Sequence, residues 1–203
     1  MKKESIGYVV VFTFVVCVVF VLPLALAEGL TKPRVEANRL YAAHVAVLKA
    51  FALADATTPR DEVERIYAQS VKEVSGEDGV WKADIGGSAA VAVRYIGPGL
   101  WGSITAIVAA DVSGSRLLGL EILDQVETPG LGGRIDETAF KAQFAGLKVG
   151  AEGIRVGPAG DFRNPDKEAG RVDAVAGASR TSDFIGQIVN GAIVRIKTLG
   201  GTK

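Results

Sequence analysis

The architecture is set by residues 89–123, AAVAVRYIGPGLWGSITAIVAADVSGSRLLGLEIL. Ala89–Ile96 and Ser103–Val112 are rich in β-branched residues, and Leu117–Leu123 follows the turn signal Ser113-Gly114-Ser115. Three such runs joined by short turns predict a meander of antiparallel strands. On the C-terminal side comes a loop from Glu127 to Gly133. Asp136 then stands where it can cap a helix carrying Phe140, Phe144 and Leu147 on one face at i, i+4 and i+7. Ile154–Val156 and Arg171–Val175 read as closing strands. Ile185, Ile188, Val189, Ala192, Ile193 and Ile196 recur at helical spacing and define a last helix.

On the N-terminal side, Val35–Ala54 follows Pro33 and reads as an amphipathic helix with Tyr41, Val45, Leu48 and Phe51 inward. Thr57-Thr58-Pro59 breaks it, and Glu62–Lys72 predicts a short helix burying Val63, Ile66, Tyr67 and Val71. Ser75–Ser88, with Gly76, Gly79, Gly86 and Gly87, reads as a loop region holding at most a short strand at Val80-Trp81. The expected fold is α+β: a twisted antiparallel sheet with packed helices, preceded by one N-terminal transmembrane helix.

That first helix follows from Ile6–Ala27, 22 residues without a charge, flanked by Lys2, Lys3 and Glu4 before and Glu28 after. At ~1.5 Å per residue it is about 33 Å long, enough to cross a hydrocarbon core of about 30 Å. The competing reading is a cleaved signal peptide, since Ala25-Leu26-Ala27 fits a small-x-small cleavage site. Length favours the anchor, because signal-peptide apolar regions run only ~7–15 residues. Either reading exports the body. The expected division is an anchor over 1–28, a helical link and start of the body over 29–74, and a cofactor domain over 75–203.

Lys plus Arg equals Asp plus Glu at 23 each, so no global field draws the chain to nucleic acid. Cys17 is the only cysteine and lies in the apolar run, which excludes a disulfide, a cysteine-ligated zinc site or an iron–sulfur cluster. Redox chemistry would need a borrowed cofactor. His44 stands without a metal-ligand companion and reads as a surface or packing residue.

Asp173-Ala174-Val175-Ala176-Gly177-Ala178-Ser179-Arg180-Thr181-Ser182 runs straight into the last helix. Gly177 and Ala178 let an anion approach the backbone, and a helix N-terminus offers unpaired N–H donors with about half a positive charge. Ser179 would lie against a bound phosphate, with Arg180, Thr181 and Ser182 adding hydrogen bonds. The plainer alternative makes Thr181 or Ser182 an N-cap. Glu127-Thr128-Pro129-Gly130-Leu131-Gly132-Gly133 is a rigid turn by composition. Gly99-Leu100-Trp101-Gly102 is either a simple turn or a place where a tryptophan flanks a flat ring.

Gly99-Leu100-Trp101, then Glu127 to Gly133, then Asp173-x-x-x-Gly177-Ala178-Ser179 occur in an order that resembles the FMN-binding domain family. Within it the likeness is to the C subunits of sodium-translocating NADH:quinone reductases, with the G subunits of Rnf electron-transport complexes second. The resemblance implies FMN joined through its phosphate to Ser179 by a separate flavin transferase. It implies Gly177, Ala178, Arg180, Thr181 and Ser182 about the phosphate, and Leu100, Trp101, Glu127, Thr128, Leu131 and Gly132 as further cofactor-binding positions. Asp173 is then a structural or transferase-recognition residue. The implied role is electron relay among other subunits of a membrane redox complex in the bacterial inner membrane, with the domain on the periplasmic side. No nicotinamide site is expected, because no strand-placed G-x-G-x-x-G fingerprint is present. Two positions depart from the family pattern. Ser179 stands where threonine is usual, and Gln125 where histidine is frequent. The alternatives are an Rnf-type subunit and a binding or assembly module of the same fold without covalent flavin.

Overall fold

The computed structural model describes residues 5–160, 162 and 165–201. Lys2, Lys3 and Glu4, which flank the apolar run, lie outside them. The chain divides into two compact units, Met1–Tyr41 and Ala42–Lys203.

Helix α1 (Ile6–Ala50) contains both Pro23 and Pro33. The helix expected to begin after Pro33 is instead continuous with the apolar run. Each proline removes its own N–H from the ladder, and the neighbouring turns continue. Among the described residues α1 is the one helix long and apolar enough to cross a membrane. It stops at Ala50 rather than Ala54 because Ala52 turns into the left-handed region (φ 58°). Leu53 N–H then bonds back to Leu48 O at 2.8 Å and Ala52 N–H to Lys49 O at 2.9 Å. This is a Schellman closure with alanine in the usual glycine place.

In the second unit, α2 (Arg60–Ser70) leads into β1 (Val71–Glu73), so Val71 opens a strand instead of ending a helix. His44 stacks on Tyr67 with ring centroids 3.8 Å apart, and its Nδ1 lies 2.9 Å from Glu64 Oε2. That is the packing role read from its isolation. Next come β2 (Val80–Ile85), β3 (Ser88–Pro98), β4 (Ser103–Asp111) and β5 (Leu117–Asp124). They form one antiparallel sheet in the order β1-β2-β3-β4-β5. The expected loop before Ser88 is instead a full hairpin: Ile85 pairs with Ser88, and Gly86 and Gly87 take φ of 61° and 84°. Two successive positive φ angles make the tight turn whose twist matches paired strands.

Beyond β5, a 3₁₀ turn (Gly132–Asp136) precedes α3 (Thr138–Ala142). Asp136 does not cap α3. Glu137 holds that position without a side-chain cap bond, and Asp136 Oδ1 accepts from Lys141 Nζ at 3.1 Å. Phe140, Phe144 and Leu147 are fully buried as expected, although α3 ends at Ala142. The closing strands β6 (Arg155–Ala159) and β7 (Arg171–Ala174) pair in parallel as a separate ribbon. Helix α4 (Ser179–Gly201) buries Ile185, Ile188, Val189, Ala192, Ile193 and Ile196.

The main core lies between α4 and the sheet face bearing Val91, Val93, Ala106, Val108 and Ala110. Gly97 on β3 sits directly against Ile188, leaving no room for a Cβ. On the other face Gly119, opposite Ala109, admits the end of α1: a Cβ there would stand 2.7 Å from Ala50 O. The sheet is therefore covered on both faces, which explains why β4 is buried almost throughout.

The β4–β5 turn is organised by Asp111. Its Oδ1 accepts from Ser113 Oγ (2.7 Å) and Ser115 N (2.9 Å), and its Oδ2 from Ser115 Oγ (2.6 Å) and Arg116 N (3.0 Å). Burial pushes this carboxyl up, but the Ser115 and Ser113 hydroxyls and the Ser115 and Arg116 amides outweigh it, and the group rests below the usual carboxylate range. A folded-state value below the unfolded one of ~3.9 stabilises the fold above that pH and is lost as pH falls through the folded value. Asp111→Asn should therefore lower the urea midpoint at pH 6, and the gap from wild type should shrink by pH 3.

Candidate functional site

Three loops converge on one buried carboxylate. Val126 and Glu127 follow β5, and the Glu127 backbone N–H donates to Gln125 Oε1 at 2.7 Å, which fixes the chain as it leaves the strand. The Glu127 side chain turns inward and is only 5% exposed. Its Oε1 accepts from Leu100 N at 2.7 Å and Trp101 N at 3.2 Å, and its Oε2 accepts from Thr181 Oγ1 at 2.7 Å. The β3–β4 turn, the turn after β5 and the first turn of α4 are thus joined at one group.

Two glycines make room for it. A Cβ at Gly99 would stand 2.7 Å from Glu127 Oε1, and one at Gly132 would stand 2.6 Å from Oε2 and 2.8 Å from Thr181 Oγ1. Thr128 contributes its carbonyl, which accepts from Leu131 N at 3.1 Å and Gly133 N at 3.0 Å and closes the Pro129-Gly130 turn. Leu131 then reaches the α4 entry, where a Cβ on Gly177 (φ 77°) would lie 3.2 Å from Leu131 Cδ2.

At that entry the chain bends through Val175–Ala178. Ala178 N donates to Val175 O (3.0 Å), and Ser182 N donates to Ala178 O (3.1 Å) as the first helical bond. Ser182 is fully buried. Its hydroxyl accepts from Val175 N at 2.9 Å and donates to Ala178 O at 3.0 Å. Thr181 is 1% exposed and its hydroxyl is held by Glu127. The expectation that Thr181 and Ser182 offer hydroxyls outward is not met: both face the interior. Arg180 is exposed and lies over the Phe184 ring, 5.5 Å from its centroid. What faces outward is Ser179 with the exposed Gly177 before it. Among the described residues the Ser179 hydroxyl and the N–H groups of Ser179, Arg180 and Thr181 have no protein acceptor or donor facing them. These are the orphan donors of a helix start.

Beside this entry lie side chains that a core would ordinarily claim. Trp101 is 69% exposed, Val126 60%, Leu100 52% and Leu131 46%. Val126 packs against Gly102, which extends the apolar ledge from the β3–β4 turn to the turn after β5. Sequence reasoning missed Val126, for which an isolated valine before a turn gives no signal. Asp173 lies apart from the Glu127 junction. Its backbone exchanges bonds with the Gln143 amide (2.7 and 3.2 Å), and its carboxylate lies against Gly160. An open groove of about 750 Å³, lined by Lys49, Asp55, Glu62, Leu120 and Lys141 among others, contains none of these site residues. Among the described residues no group of three or more His, Cys, Asp or Glu is placed to hold a metal ion.

An exposed nucleophilic hydroxyl, the unpaired N–H donors of the exposed Ser179 and Arg180, and a bordering apolar ledge suit an anionic ligand with a flat hydrophobic part. Residues 99–194, which contain every one of these groups, match the FMN-binding domain family. Over 105 residues the chain is 33% identical to the C subunit of the Na(+)-translocating NADH-quinone reductase of Pasteurella multocida, a match covering 51% of this chain and 40% of that protein. Over 129 residues it is 35% identical to the corresponding C subunit of Neisseria meningitidis serogroup A, covering 61% and 47%. The match thus spans less than half the length of these relatives. The fold is similar to the crystal structure of the C subunit from Parabacteroides distasonis, with TM-score 0.65 and 21% identity over 84% of this chain and 98% of that one. It is also similar to NqrC of Shewanella oneidensis, with TM-score 0.60 and 19% identity over 75% and 95%.

The inward hydroxyls make a direct prediction. Ser182→Ala leaves the buried Val175 N–H without an acceptor, a loss of roughly 1–3 kcal/mol. Urea unfolding should report that loss, and hydrogen exchange at Val175 should accelerate more than at Ile188.

Proposed function

We propose that this chain carries FMN covalently on Ser179 and relays electrons as a membrane-anchored subunit of a sodium-translocating NADH:quinone reductase. The observation that carries the reading is the exposed, unengaged Ser179 hydroxyl on the first turn of α4, within the FMN-binding domain. Attachment by a flavin transferase balances as a phosphoryl transfer from FAD. The Ser179 oxygen bonds to the phosphorus of the FMN half, the pyrophosphate P–O bond breaks, AMP leaves, and the hydroxyl proton passes to solvent.

In this reading the N–H groups of Ser179 and Arg180 bind the phosphate oxygens, and the α4 dipole favours their charge. Gly177 and Ala178 keep the approach thin, and Arg180 adds a positive charge on the first turn. Leu100, Trp101, Thr128 and Leu131, with Val126, border the ring and exclude water from one side. Glu127 and Gly132, among the cofactor-binding positions expected from sequence, act from beneath: they support the loops that touch the flavin. The bound flavin supplies the redox chemistry, and the protein supplies position and electrostatics. NADH binds elsewhere in the complex. The apolar part of α1 anchors the chain in the inner membrane with the domain on the periplasmic side, and other subunits of the complex are its partners. The names of the relatives favour the sodium-translocating reductase over the Rnf complex.

Serine has the nucleophilic oxygen of threonine without the methyl, so the chemistry requires only that the transferase accept it. After co-expression with a flavin transferase, a denaturing gel should show a fluorescent band for wild type and Ser179→Thr and none for Ser179→Ala. A dark wild-type band, with an intact mass lacking FMN, would instead favour a binding or assembly module of the same fold.

A further inference from the structure

We propose that Glu127 is a positioning residue whose buried negative charge both holds the flavin-bordering loops together and lowers the flavin's reduction potential. This rests on the flavin reading above.

The geometry separates Glu127 from an ordinary structural carboxylate in three ways. Among the described residues its side-chain partners, Leu100 N, Trp101 N and Thr181 Oγ1, are all neutral, so its charge is hydrogen-bonded but not cancelled by any of them. At 5% exposure it is shielded far less by water and salt than a surface acid. It also joins the three loops that carry Leu100 and Trp101, Thr128 and Leu131, and Ser179. A fixed negative charge there opposes the electron density that a flavin gains on reduction, and it acts through the same bonds that set the loop positions. The close fit of Gly99 and Gly132 around its two oxygens leaves no space for a counter-charged side chain at either position.

Glu127→Gln keeps an amide oxygen for the Leu100 and Trp101 donors and removes the charge. Thr181→Val does the reverse, keeping the charge and removing one donor that offsets it. The test uses full-length protein in detergent, matured with a flavin transferase and titrated at pH 8 with dithionite and mediator dyes. Intact mass reports flavin occupancy, and circular dichroism reports folding.

With flavin attached, Glu127→Gln should shift the oxidised-to-reduced ratio about tenfold toward the reduced form, ~30 mV upward for a two-electron couple. Thr181→Val should move the potential downward. Flavin-loaded variants with an unmoved potential overturn the inference and leave the flavin reading standing, whereas a wild-type chain without flavin overturns both. If Glu127→Gln fails to fold, Thr181→Val decides alone: a lowered potential supports the inference, and an unchanged or raised one overturns it. Loss of fold in both variants reduces Glu127 to a structural strut and also overturns it.

Discussion

A carboxylate removed from water without a cation beside it is among the costlier features a small domain can contain. Glu127 meets that cost with two backbone N–H groups, one hydroxyl, and a place at the positive end of α4, where the helix dipole favours negative charge. The bonds run from residue 127 to residues 100, 101 and 181, so they join parts of the chain that nothing local would bring together. Once that junction exists, several choices in the sequence follow from it. Gly99 and Gly132 have no alternative at Cβ distances of 2.7 and 2.6 Å from the carboxylate oxygens. Thr181 must face inward, and Gln125 must steer the strand end so that the glutamate points the right way.

The sheet supplies the platform on which this junction is built. β3, β4 and β5 are legible in sequence because Ala89–Ile96, Ser103–Val112 and Leu117–Leu123 combine β-branched composition with short turns, and those features act locally. α4 is legible from its spacing alone. The hairpin at Gly86-Gly87 escapes a sequence reading because two glycines in a glycine-rich stretch resemble loop composition, whereas their pairing partners give them a specific turn. Pro33 reads as a helix boundary, yet a proline deletes a single donor and α1 continues around it. The end of α1 at Ala50 rests on an alanine in a left-handed conformation, for which the residue type carries no warning.

The site divides along the same line. Ser179 as an outward hydroxyl at a helix start is readable from small residues running into an apolar helix. The inward turn of Thr181 and Ser182 is not, because which hydroxyls of a first helical turn face water depends on what packs against that turn. Here Glu127 lies 54 positions away from Thr181, and the bend through Val175–Ala178 needs the Ser182 hydroxyl for itself. The apolar ledge presents the same difficulty. Leu100, Trp101 and Leu131 are named in sequence only through the family resemblance and Val126 not at all; all four stand exposed in the fold, because the glycines beside them bring backbone rather than side chains together.

The start of α4 keeps its interior contacts on side chains and its backbone donors free. Glu127 approaches from inside and is held there through the Thr181 hydroxyl, not through a backbone N–H of the helix. Ser182 satisfies Val175 N and Ala178 O in the same way, with its side chain. Two side chains therefore do the interior work, and the N–H groups of the exposed Ser179 and Arg180 remain without a protein acceptor among the described residues. An alanine methyl at Thr181 would leave Glu127 Oε2 short of a donor, and one at Ser182 would leave Val175 N–H short of an acceptor. Inner and outer donors are thereby separated, and the carboxylate uses the positive end of α4 without drawing on its backbone N–H groups.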